Sequence, residues 1–201
     1  WFIAPCCMSF LEGLTNFGDL AVLLPVSAAI LLWLLRRSPR GVALWWLASL
    51  ALCGGLTAGL KILFYACPPA ADLHSPSGHT ALSLLVYGGL AVIAAAPPTP
   101  RWQRIILIAA GLALALGIAF SRVALHDHTG LETAIGLVIG VASLALFSRR
   151  YLSQPRSPAS VWPLVAVSAA VLVVLHGDQL RAEEFLQTLG AYLHQAVLGC
   201  G

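Results

Sequence analysis

Six predominantly apolar runs, at roughly residues 17 to 36, 41 to 65, 79 to 96, 102 to 123, 130 to 148 and 159 to 176, fill most of this 201-residue chain. A helix needs about 20 such residues to cross the hydrocarbon of a bilayer, and each run meets or nearly meets that length. Only 9% of the residues are charged, against about 25% in a soluble domain. That leaves too little polar surface to coat a water-soluble globule, so the chain reads as an integral membrane protein. Pro and Ser punctuate the gaps at Ser38-Pro39, Pro68-Pro69, Pro97-Pro98-Thr99-Pro100 and Gln154-Pro155-Arg156-Ser157-Pro158, where a helix cannot easily continue. The expectation is an all-α polytopic membrane protein: a six-transmembrane-helix bundle with short loops and an amphipathic C-terminal helix.

The length suits one domain over residues 1–201, with an interfacial segment at 1–16, the bundle at 17–176 and a tail at 177–201. No internal repeat is visible. In the tail, Phe185, Leu186, Leu189, Tyr192, Leu193, Ala196 and Val197 recur at helical spacing opposite Glu183, Glu184 and Gln187. This pattern fits a helix lying on the membrane surface, and it equally fits a seventh short helix packed on the bundle. The sequence begins at Trp1 rather than Met, which reads as a trimmed or processed start. Residues Trp1 to Cys7 lack the basic region of a signal peptide.

Charge placement sets the expected orientation. The loops after the first, third and fifth runs hold Arg36, Arg37, Arg40, Arg101, Arg104, Arg149, Arg150 and Arg156 and no acid. By the positive-inside rule these loops face the cytoplasm. All eight carboxylates lie on the other side, accompanied by Lys61, Arg122 and Arg181. A net charge of +3 without a basic run gives no nucleic-acid footprint.

Two polar islands interrupt the apolar chain, Leu73-His74-Ser75-Pro76-Ser77-Gly78-His79-Thr80 and Ser121 to Glu132, and together they hold four of the six histidines. Ionisable groups at a membrane mark a functional site by default. The third and fourth runs form a hairpin, about 27 Å each way at 1.5 Å per residue, which returns the second island to the face holding the first. The second run delivers Lys61 to the same face. Ser77-Gly78-His79 opens a helix, where free backbone N–H groups and the positive dipole end favour an anion. With Lys61 and Arg122 added, the pocket suits a multiply charged oxyanion such as phosphate. His79 and His128 can serve as proton donor and nucleophile. Glu132, four residues after His128, can accept from the other ring nitrogen and fix its tautomer.

Pro76-Ser77-Gly78-His79, followed by Ser121-Arg122, five residues and His128, resembles the type 2 phosphatidic acid phosphatase superfamily. The resemblance spans Lys61 to Glu132, with two departures. The family's first motif carries Lys, six residues, then Arg-Pro, whereas here Pro68-Pro69 follows Lys61; the third motif's usual Asp is Glu132. The resemblance implies that His128 attacks phosphorus to form a phosphohistidine, Glu132 orients it, and His79 protonates the leaving oxygen. Lys61, Ser77, the Gly78 amide and Arg122 would hold the non-bridging oxygens, without a metal or other cofactor. His74 and Arg181 are the nearest candidates to replace the missing arginine, and a protonated His74 in that role would move the optimum to mildly acidic pH.

The same resemblance implies a lipid phosphatase of a bacterial inner membrane with its site facing outward. Its partners would be the bilayer and a lipid phosphate or pyrophosphate: undecaprenyl pyrophosphate, phosphatidic acid, phosphatidylglycerophosphate or lipid A phosphate. No protein partner is implied. Phosphotransfer to a second lipid, or lipid-phosphate binding or transport without chemistry, would use the same pocket.

Other features have plainer readings. Thr129-x-x-Glu132 is a capping box, compatible with the orienting role of Glu132. His126 and Asp127 read as loop or rim residues, and His176 and His194 as interfacial. Lys61 can also be a snorkelling anchor. Trp45-Trp46, Trp102 and Trp162 fit an aromatic belt. Cys6, Cys7, Cys67 and Cys200 fall on the outer side, where a disulfide can persist; one bridge to Cys67, or from Cys6 or Cys7 to Cys200, and free thiols are both compatible with the sequence.

Overall fold

The computed structural model describes residues 5–67, 73, 75–96, 99–154, 160–178, 180 and 182–193. These form eight helices, α1 Pro5–Asn16, α2 Leu20–Arg37, α3 Arg40–Ala66, α4 Gly78–Ala94, α5 Arg101–Ala124, α6 Gly130–Leu152, α7 Trp162–Val174 and α8 Ala182–Leu193, with no strand among the described residues. The proline punctuation acts as expected. Pro39 and Pro100 are the N-cap residues of α3 and α5, and Ser38 closes α2.

Four helical stretches are long and apolar enough to cross a membrane: Met8–Arg37, Arg40–Ala66, Arg101–Ala124 and Gly130–Leu152. Two further apolar helices, α4 and α7, are shorter, at 17 and 13 residues. The sequence suggested six spans that meet or nearly meet the length needed; four stretches are long enough, and α4, shorter, is enclosed by its neighbours. The outward faces of the long helices are apolar, with Leu24, Leu32, Leu44, Ile105, Ile106 and Val138 among the exposed side chains. In water such a surface would be a liability; against lipid it is the expected lining.

The core is built around α4, which packs on α2, α3, α5, α6 and α7. The approach of α6 is close because Gly136 and Gly140, one turn apart, face the start of α4. A Cβ on Gly136 would stand 2.5 Å from the Ser77 carbonyl, and one on Gly140 would stand 2.8 Å from that of Ala81. Small residues spaced by four let helix backbones meet in this way. At the far end of the bundle, Trp46 is fully buried against the edge of the Phe147 ring and donates its indole N–H to the Ser27 carbonyl at 3.2 Å. The belt reading therefore fails for Trp46, which is a core residue. Its neighbour Trp45 lies under the Arg150 guanidinium, 4.4 Å from the ring centroid.

That contact brings the end of α6 beside the start of α3. The arginines of the helix ends thus gather at one end of the bundle, and the other end holds the end of α3, the start of α4, the end of α5 and the start of α6. The amphipathic tail helix α8 packs on α3, as the packed alternative required. Part of its apolar face, including Phe185 and Tyr192, stays exposed.

Adding one methyl group should separate the tight crossing from an open site. Gly140→Ala is expected to cost about 1–3 kcal/mol through overpacking, while Gly55→Ala, where nothing lies within 4 Å of the new atom, should stabilise by about 0.5–1 kcal/mol through helix propensity. Thermal unfolding of the purified protein in detergent reads both signs.

Candidate active site

The second island folds as a helix-to-helix turn. After α5 the chain reverses at His126, whose φ of 62° is in the left-handed region, and the amides of Asp127 and His128 both donate to the Arg122 carbonyl at 3.1 Å. Thr129 then caps α6 and completes the capping box with Glu132.

Glu132 does more than cap. It is only 3% exposed. One carboxylate oxygen lies 3.0 Å from His128 Nδ1 and accepts from the Thr129 amide at 3.0 Å; the other accepts from the Ser75 amide at 2.9 Å. The Ser77 amide also donates to the Glu132 carbonyl at 3.2 Å. One residue therefore fixes the His128 ring, opens α6 and ties the first island to the second. Because a carboxylate can only accept, Nδ1 carries the proton and Nε2 is the basic ring nitrogen. Burial pushes the His128 pKa below the ordinary imidazole range, and the charges of Lys61 and Arg122 push the same way, against the pull of Glu132. The ring is thus neutral at neutral pH, which leaves a lone pair on Nε2.

The first island enters α4 at Ser77, fully buried, whose hydroxyl accepts from the Thr80 hydroxyl at 2.9 Å and amide at 3.5 Å. His79, one residue inside the helix, has its Nε2 3.7 Å from the Asp19 carboxylate. Asp19 is the N-cap of α2, accepting from the Ala21 amide at 2.8 Å and the Leu180 amide at 3.0 Å. The Tyr87 hydroxyl, donating to the Phe17 carbonyl, holds the α1–α2 turn that places it. Asp19 is the acid that faces the His79 ring.

Arg122, at the end of α5, pairs with Asp127 at 2.8 Å and donates to the Thr15 hydroxyl at 3.2 Å, while its buried Nε has no partner among the described residues. An orphan guanidinium N–H is a ready donor for an oxyanion. Lys61 is 3% exposed, so it does not snorkel to water; it is paired with Glu183 of α8.

A cavity of about 200 Å³ opens among these groups. Asp19, Lys61, Gly78, His79 and Glu183 line its polar part, and Gly54, Ala58, Leu82 and Leu186 line its apolar part. Such a space suits an amphipathic molecule with an anionic head. His128 and Arg122 are not in its lining but act electrostatically on Glu183, which is.

The structure therefore gathers Lys61, Ser77, Gly78, His79, Arg122, His128 and Glu132 at one end of the bundle. His74 and Arg181, and the motif departure at Pro68, lie outside the described residues. The sequence reading missed three residues: Asp19, Asp127 and Glu183. Asp127 is not a passive rim residue but the partner of Arg122; opposite charges flanking one helix end were the available signal. Nothing local pointed to Asp19 or Glu183. Cys67 is disulfide-bonded, as one of the sequence alternatives had it, and Cys53 is buried and free. Among the described residues no three His, Cys, Asp or Glu side chains converge as a metal site.

Comparison with known proteins adds a sequence-wide result. The PAP2 superfamily matches residues 42–156, the stretch that runs from the first turn of α3 through α6 and holds both islands. A Klebsiella pneumoniae protein, described as an uncharacterized 22.5 kDa protein in the cps region, is 30% identical over 167 residues, covering 80% of this chain and 79% of that protein. No solved structure matches the chain.

Removing the Glu132 carboxylate should be felt as stability and not only as chemistry. Glu132→Ala leaves the Ser75 and Thr129 amides and His128 Nδ1 without their acceptor, at a cost of about 1–3 kcal/mol for each buried orphan. Thermal unfolding in detergent should show a clear loss, and an unchanged midpoint would refute the linking role.

Proposed function

The chain belongs to the PAP2 superfamily, and on that premise we propose that it is an integral membrane phosphatase acting on a lipid phosphate or pyrophosphate at the outer leaflet. The observation that carries this reading is the buried His128–Glu132 pair at 3.0 Å, which leaves Nε2 basic, beside cationic donors and a second histidine paired with its own acid.

In the proposed reaction, His128 Nε2 attacks phosphorus as the bond to the leaving oxygen breaks, and His79 gives its proton to that oxygen. The dephosphorylated lipid departs. Neutral His79 then takes a proton from water as the water oxygen attacks the phosphohistidine; the N–P bond breaks, and inorganic phosphate leaves with His128 restored. Lys61, the Ser77 hydroxyl, the Gly78 amide at the start of α4 and Arg122 hold the non-bridging oxygens while charge shifts onto them. Glu132 stabilises the charge that forms on the attacked ring, and Asp19 positions His79.

The cavity supports a lipid substrate, since its apolar part continues from the polar end along Gly54, Ala58, Leu82 and Leu186. Candidate substrates are undecaprenyl pyrophosphate, phosphatidic acid, phosphatidylglycerophosphate and lipid A phosphates. In the proposed topology α4, about 26 Å long by its residue count, and α7 with its apolar flanks complete six spans. The arginine-rich ends face the cytoplasm, and the site faces outward across a bacterial inner membrane.

Phosphate release from a panel of these lipids, comparing wild type with His128→Ala, tests the reaction. The wild type should release inorganic phosphate from at least one lipid, and the variant should be slower by about a thousandfold or more. Equal rates across the panel would overturn the reading, and labelled phosphate recovered on another lipid would replace hydrolysis by transfer. The pH profile gives a separate check. The attacking ring must be neutral, so activity falls as pH drops through the His128 pKa; because that pKa lies below the usual value of about 6.5, the acid limb of kcat/KM should have its midpoint below pH 6.5.

A further inference from the structure

The Glu183 carboxylate receives two donors that belong to one face of α3. Lys61 Nζ donates to one of its oxygens and the Tyr65 hydroxyl to the other. Lys61 and Tyr65 are four residues apart, so they stand one above the other on the helix. Two donors converging on the two oxygens of one anion form an oxyanion seat, and here the occupant comes from the chain itself. We propose that Tyr65, with Lys61, is a phosphate-binding residue, and that Glu183 occupies their seat until the substrate phosphate displaces it. This inference rests on the phosphatase reading above.

Three observations support it. The Lys61 side chain is 4% exposed whereas Glu183 is 46% exposed. A buried ammonium needs an anion at all times, but a half-exposed carboxylate can turn into water at little desolvation cost. Second, Glu183 is within electrostatic reach of His128 and Arg122 as well as of Lys61. It therefore lies near both Lys61 and Arg122, the two cations that a phosphate would take up. Third, α8 is anchored directly on the tyrosine: a Cβ on Gly190 would stand 2.6 Å from Tyr65 Cβ, so the helix that carries Glu183 is seated on the residue whose hydroxyl it uses.

The proposal also bears on the motif departure. Tyr65 stands three positions before Pro68, where the family has arginine, and it offers a single neutral donor in place of a charged fork. A phosphate group, with more charge and more oxygens than a carboxylate, can take both α3 donors and still reach Arg122. Glu183 is then released to water along with the first turn of α8.

Calorimetric titration of inorganic phosphate into the purified full chain in detergent tests this without relying on turnover. Tyr65→Phe should weaken binding about fivefold, the weight of one hydrogen bond, and Glu183→Gln should tighten it several-fold. In the Glu183→Gln background, Tyr65→Phe should still weaken binding, which separates a phosphate ligand from a residue that merely holds Glu183. Glu183→Ala repeats the test without an amide that can still accept from Lys61, and matched unfolding midpoints show that the variants fold. Binding to Glu183→Gln and Glu183→Ala that is no tighter than wild type, or indifference of the double variant to Tyr65→Phe, overturns the proposal. Arg122→Ala decides how far the failure reaches. If it loses phosphate while Tyr65→Phe keeps it, only this inference falls; if the wild type binds no phosphate, or Arg122→Ala binds it equally, the phosphate site falls too.

Discussion

The arrangement hangs on one buried carboxylate. Glu132 lies at the first turn of α6, almost without solvent, in a chain whose surroundings are apolar. An ionised carboxyl there is tolerated only if its lone pairs are filled, and the amides of Ser75 and Thr129 together with His128 Nδ1 fill them. These partners come from the loop before α4, the cap of α6 and the loop after α5. Satisfying the charge and assembling the site are therefore the same event. The longer reach of Glu over Asp has a use here, because this side chain folds back to its own N-cap amide while still meeting a residue 57 positions away.

Much of this was legible because it is local. Helix boundaries followed proline and cap chemistry, and the spacing from His128 to Glu132 forces proximity once α6 starts at Gly130. The return of both islands to one end of the bundle followed from helix lengths alone. What escaped the sequence was tertiary in origin. Leu180 meets Asp19 across 161 residues and Glu183 meets Lys61 across 122, and no local pattern encodes such pairs. The periodicity of the tail gave a helix but could not say that Glu183, on its polar side, would meet Lys61 and Tyr65 of α3. Trp45 and Trp46 illustrate a related ambiguity: two identical neighbours point to opposite environments, and only the packing of Phe147 shows which one is core.

The short α4 shows what composition alone cannot say about the bundle. Its sequence is as apolar as those of the long helices, but its faces meet five neighbouring helices. Glycine on α6 lets Ser77 and Ala81 come into backbone contact with that helix. Burial here fixes the position of the α4 N-terminus, and with it Ser77, Gly78 and His79. A helix held on all sides can present its first amides at a set distance from groups on α3, α5 and α6. The long helices, each with an exposed apolar face, have fewer protein neighbours to fix them.

The pairing of charges in the site divides by role. Each basic group has its own acid: His79 with Asp19, His128 with Glu132, Arg122 with Asp127 and Lys61 with Glu183. The acids serving the two histidines are 10% and 4% exposed, and those serving the arginine and the lysine are 41% and 46% exposed. A histidine that must keep one tautomer or one charge through a reaction needs a partner that stays, and burial makes it stay. In the proposed reaction, a cation that takes up a phosphate needs a partner that can leave, and contact with water lets it leave. The Lys61–Glu183 and Arg122–Asp127 pairs also balance charge in a low-dielectric setting, where uncompensated cations would be costly. In the proposed reaction, substrate binding becomes an exchange of anions on Lys61 and Arg122, and the two histidine pairs stay fixed while it occurs.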